Sequence, residues 1–124
     1  MPSTIRGSDN FDSGRFESAE QTITVAGALT IPHGLGVKPF MVQCELICKT
    51  AEYGYSIGDK LQVQNGGFTS SGISQYGMSL VADATNIAIR YGATSGAYYI
   101  LDKTSGMVAV ITTTNWKLIV KAIA

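Results

Sequence analysis

Apolar and polar positions along this chain alternate with a period of two over most of its length, and nowhere with the period of an amphipathic helix. The clearest stretch is Lys38–Thr50. Val42, Cys44, Leu46 and Cys48 share one parity there, against Gln43, Glu45 and Lys49 on the other. Such a strand buries one face and solvates the other. Gln21–Val25 alternates and is β-branched, and Ala26-Gly27 predicts a two-residue turn answered by Ala28–Ile31. Further strands are expected near Leu61–Gln64, Tyr76–Ala82, Asn86–Tyr91, Tyr98–Leu101, Met107–Thr112 and Asn115–Ala124. Between them lie breaker-rich loops: Pro32–Gly36, Tyr53–Asp59, Asn65–Gly72 and Asp102–Gly106. Strands at this spacing predict an all-β, antiparallel fold, a β-sandwich such as a jelly roll or a barrel.

Residues 1–18 break the pattern. Ile5, Phe11 and Phe16 stand isolated among small and polar residues. The segment reads as an extended N-terminal arm, 1–18, ahead of a sandwich domain, 19–124. Fully stretched, 18 residues reach about 60 Å. Docking contacts are expected from Arg6, Asp9, Asn10, Phe11 and Phe16.

Two strands carry apolar residues on both faces. Met107–Ile111 has no polar side, and in the last strand Lys117, Ile119, Lys121 and Ile123 form a mixed second row. An antiparallel sheet ordinarily solvates one face, so apolar outer positions predict a second cover. The simplest cover is another copy, through Val108, Val110, Ile119 and Ile123.

Composition sharpens this reading. The chain has 124 residues, one domain's worth, with 9 Lys+Arg and 9 Asp+Glu, so 18 charged residues or 15%. A typical domain carries about 25%. The net charge is zero, which leaves no electrostatic footprint for nucleic acid. No apolar run approaches the ~20 residues of a membrane-spanning helix, and Met1–Arg6 lacks an apolar h-region, so no secretory signal is expected. A neutral, sparsely charged, glycine-rich chain is weakly defended against self-association.

Candidate chemistry is thin. Gly54-Tyr55-Ser56-Ile57-Gly58 matches the G-x-S-x-G pattern of a nucleophile elbow. No helix pattern follows it, and the one histidine, His33, precedes the serine instead of closing a triad. Cys44 and Cys48 lie about 13 Å apart on a regular strand, too far for a disulfide, and read as small buried hydrophobes. Ligand counts exclude a zinc site, and no phosphate-binding motif occurs. No cofactor, metal or catalytic activity is expected. Tyr53, Tyr55 and Tyr76 sit in or beside loops, where a tyrosine ring can stack on a sugar, and are candidate glycan contacts.

The order of several motifs resembles virion proteins of tailed bacteriophages. Phe11-Asp12-Ser13-Gly14 is followed by Thr30-Ile31-Pro32-His33-Gly34-Leu35-Gly36-Val37-Lys38-Pro39, a strand running into an H-G-L-G turn, a proline and a long strand. Gly54–Asp59, Ser79–Arg90, Asp102–Gly106 and Ile111–Leu118, with its Trp116, continue the likeness over residues 11–124. A looser likeness is to H-type lectins, trimeric sandwiches that end in a tryptophan-bearing strand. The resemblance implies a homotrimeric, non-enzymatic structural subunit, assembled in the host cytoplasm into the virion at a tail fibre or baseplate. Its expected partners are other virion proteins and a host surface glycan. A capsid cement or head-decoration subunit is one alternative, and a lectin-like carbohydrate-binding module another. The short arm before the domain suits a small add-on subunit better than a full-length fibre.

Overall fold

The structure, a computed structural model, describes residues 14–63 and 75–124. Its strands are β1 (Arg15–Glu17), β2 (Ala28–Pro32), β3 (Met41–Cys48), β4 (Lys60–Val63), β5 (Met78–Ala82), β6 (Asn86–Tyr91), β7 (Tyr99–Leu101), β8 (Val108–Val110) and β9 (Trp116–Ile123). Among the described residues the one helical element is a single 3-10 turn, Thr113–Asn115.

Among the described residues, two antiparallel sheets, ordered β1-β9-β3-β4 and β2-β6-β5, and a two-stranded ribbon, β7-β8, make up the fold. The protein is an all-β sandwich. Its core is the sum of the inward parities. Leu46, Cys48, Trp116, Leu118 and Val120 come from the first sheet, and Ile87, Ile89, Tyr91 and Met78 from the second. Tyr98, Ile100 and Ile111 add the ribbon side. The Val42–Cys48 parity places Cys44, Leu46 and Cys48 in this core, with Gln43 exposed on the other face.

Long-range pairing overrides one local expectation. Gln21–Val25 does not form a hairpin with Ala28–Ile31. The chain does turn there, with Ala26 at φ 57° and the Gly27 N–H donating to Thr24 O at 3.0 Å. However, β2 pairs with β6 in the register Ile31↔Ile87, and Gln21 makes an isolated bridge to Leu118. Ile23 is buried as the chain crosses from one sheet to the other. The apolar residues of 21–25 are thus spent on joining the layers.

The end of the expected arm belongs to the sandwich. Arg15–Glu17 pairs with β9, Phe16 packs against the core, and the Ser18 hydroxyl accepts the Val120 N–H at 2.9 Å. Arg6, Asp9, Asn10 and Phe11 lie outside the described residues, as does the loop expected at Asn65–Gly72.

Candidate functional site

The ribbon β7-β8 presents an exposed apolar surface. Register places Tyr99 opposite Val110 and Leu101 opposite Val108, so these four side chains share one face. Leu101 is 56% exposed, Val108 66% and the adjoining Met107 70%. Ile100 points the other way, into the core. Asp102 fixes the turn: its Oδ1 accepts the N–H groups of Thr104 and Ser105 at 2.8 and 3.0 Å. Those bonds from Ser105 and Thr104 hold its carboxyl below the usual aspartate range.

Of the expected interface residues, Val108 is exposed and Val110 half-buried, both on this face. Ile119 is elsewhere and already covered, at 5% exposure. It lies on the outer face of β9, directly opposite Glu45 and two residues before Lys121. Lys121 Nζ reaches Glu45 Oε1 at 3.1 Å on the same face. The cover of Ile119 comes from the chain itself. Ile123 is half-buried between Arg15 and Met41.

Beside the ribbon runs a groove of about 390 Å³, lined by Leu61, Gln62 and Val63 of β4, by Tyr98–Leu101, and by Tyr55 and Gly77. Among the described residues the sandwich is open here between two strand edges. Tyr55 bridges it: its ring meets Trp116 edge-on at 5.5 Å and its hydroxyl donates to Leu101 O at 2.7 Å.

The three tyrosines expected as glycan contacts each touch the ribbon by a different contact. Tyr53 donates its hydroxyl to Val110 O at 2.7 Å, Tyr55 lines the groove, and Tyr76 packs edge-on against Tyr99 beside a shallow depression that includes Arg90. The Tyr53 and Tyr55 hydroxyls are therefore committed to tying the Tyr53–Asp59 loop to the ribbon.

The G-x-S-x-G segment is a turn leading into β4, in which Asp59 Oδ2 accepts the Ser56 N–H at 2.9 Å. His33 is buried in its own turn. Nδ1 accepts the Leu35 N–H at 3.0 Å, which leaves Nε2 to donate to Asp83 O at 2.8 Å. Its ring holds the H-G-L-G turn to the β5–β6 loop. Both cysteines are free and buried; desolvation pushes the Cys44 thiol up to about 12 and raises that of Cys48. Among the described residues no group of three His, Cys, Asp or Glu side chains could hold a metal ion.

One residue central to this region carries no sequence motif. Glu52 gathers Thr112 N–H, Asn115 Nδ2 and Trp116 Nε1 on its two carboxylate oxygens, at 2.8 to 3.0 Å. It locks the loop before β4 to the turn before β9. A lone glutamate in a loop gives no spacing signal for this role.

Comparison of the chain with protein-family models finds no match, and neither does comparison with curated proteins.

Proposed function

We propose that this protein is a structural subunit of a tailed-bacteriophage virion, a trimeric β-sandwich at a tail fibre or baseplate that docks through its N-terminal segment and meets a host receptor. The observation that carries the self-association is the uncharged ribbon face of Tyr99, Leu101, Met107, Val108 and Val110, left open beside a groove. An apolar patch of this kind on a neutral protein marks a protein contact. The virion assignment rests on the ordered motifs of residues 11–124, among them the H-G-L-G turn and the closing strand of Trp116.

Two measurements test the proposal. Light scattering at micromolar concentration is expected to give the mass of three chains; the mass of one chain overturns the trimer. Omitting the gene from a phage that encodes it is expected to give particles lacking this subunit and impaired in host attachment. Particles of unchanged composition overturn the virion role. A defect in capsid stability in place of attachment favours a head-decoration subunit. The glycan-binding alternative draws less support, because two of its three tyrosine hydroxyls are satisfied within the chain.

A further inference from the structure

Among the described residues, the groove is bordered by two strand edges that pair with no further strand. Along β3-β4 the bonded pairs alternate. Cys48 N–H bonds to Asp59 O, so Leu46–Leu61 and Cys44–Val63 are the bonded pairs that follow. The N–H and C=O groups of Lys60 and Gln62 therefore point off the sheet at the β4 edge. On the ribbon, Ile111 N–H bonds to Tyr98 O and Asp102 N–H to Met107 O. This turns the backbone groups of Tyr99 and Leu101 away from β8. Leu101 O is the one Tyr55 reaches. Between these edges lie the apolar side chains of Leu61, Val63 and Ile100. Open backbone edges over an apolar floor fit an added strand, whose backbone pairs with the edge while alternate side chains enter the groove.

We propose that the groove receives residues 3–7 (Ser-Thr-Ile-Arg-Gly) of a neighbouring copy as an extended strand, with Ile5 on the apolar floor. This inference rests on the self-association proposed above and names its contact. Thr4-Ile5 is a β-branched pair suited to a strand, and Ser3 and Gly7, which share the parity of Ile5, are small. The place where this segment joins the sandwich favours a neighbour's groove. Gly14 is fixed at the β1 edge, where its carbonyl accepts the Ala124 N–H at 2.8 Å. The sheet order β1-β9-β3-β4 puts that edge and the groove on opposite sides. Reaching its own groove would take the chain across three strand spacings, about 14 Å, over the face carrying Glu17 and the Lys121–Glu45 pair. Residues 8–13, up to about 20 Å when extended, are long enough to bridge two copies set edge to edge. Donor on one edge and acceptor on the other is a head-to-tail contact, the kind that closes into a ring. The exposed Leu101 and Tyr99 border the groove, so the incoming segment and the neighbour's body occupy one continuous surface.

The test uses the full chain with Thr4→Cys or Arg6→Cys, each combined with Gln62→Cys. An equal mixture of isotopically labelled and unlabelled protein is allowed to exchange subunits and is then oxidised gently. The native cysteines are buried and serve as the background in the single-substitution controls. The expected result is a shift of the band from one chain to multiples of it on a non-reducing gel, with disulfide peptides joining labelled to unlabelled chains. Disulfides only within a chain overturn the proposal, and so does oxidation no greater than in the controls. The mass in solution separates the two readings. Three chains without the cross-link overturn strand insertion alone, whereas a single chain overturns the trimer as well.

Discussion

Glu52 Oε2 accepts the indole N–H of Trp116 at 2.8 Å. The tryptophan side chain is fully buried at the start of β9, and a buried indole N–H needs an acceptor. The same carboxylate holds Thr112 and Asn115, so one charge seats the strand at the centre of the first sheet. Replacing Glu52 by Ala strands the Trp116 N–H without a partner. The expected loss is about 2 kcal/mol of stability, read as a lower denaturant midpoint with an unchanged slope. Glu52→Gln, which keeps an acceptor oxygen, is expected to lose less.

Acid weakens the same contact. Burial raises the Glu52 carboxyl, but the bonds from Thr112, Trp116 and Asn115 outweigh it and leave the group below the usual glutamate range. A carboxyl lowered on folding adds stability that is complete above its unfolded value, about 4.3, and is lost as pH falls through the folded value. Urea midpoints measured from pH 7 to 3 are therefore expected to fall below about pH 4.3. The Glu52→Gln variant is expected to show a shallower fall. Parallel curves for the two proteins would remove Glu52 as a source of the acid sensitivity.

The thiols are expected to be inert until the sandwich opens. Cys44, pushed up to about 12, is thiolate at pH 8 in only about one molecule in ten thousand, and both cysteines are buried. A thiol reagent should leave the native protein unlabelled over hours and titrate two groups per chain in denaturant. Prompt labelling of one thiol in the native protein would contradict this packing.

The ribbon face allows a substitution that spares the fold. Leu101 and Val108 are cross-strand partners and both exposed, so Leu101→Lys with Val108→Glu keeps an attractive pair across the ribbon. The midpoint is expected to move by less than ~0.5 kcal/mol at such surface positions. Light scattering is expected to report one chain where the unmodified protein gives three. A retained trimer would place the interface elsewhere.

Gly96, at φ 94°, sits where an added Cβ would collide with Val110 Cγ1 and lie 3.0 Å from Ile111 O. Gly96→Ala is expected to cost about 1–3 kcal/mol through backbone strain and to loosen the ribbon. The check is a lowered melting midpoint together with faster amide exchange at Ile111, whose N–H bonds to Tyr98 O.

The fold class and most strand positions were legible in the sequence because parity is local. Asn86–Tyr91 forms β6 with its expected bounds, and Cys44, Leu46 and Cys48 face the core as their spacing requires. Partner choice is not local. Nothing in Gln21–Val25 shows that its neighbour Ala28–Pro32 pairs with β6, since the competing register gains its free energy from Ile87 and Ile89, nearly sixty residues away. Burial on the outer face was equally hidden. Ile119 and Val108 both sit in two-faced apolar strands, yet one is 5% exposed and the other 66%. The sparse charge was plain from the composition, but its placement was decided in three dimensions. The outer face of the first sheet carries Arg15, Glu17, Glu45, Lys60, Lys117 and Lys121, whereas that of β2-β6-β5 carries Arg90 alone, and the ribbon face has none. A sequence determines which side chains share a face of its own strand. Which other strand lies beside that face, and so whether its apolar residues are already covered, is determined only when the sheets assemble.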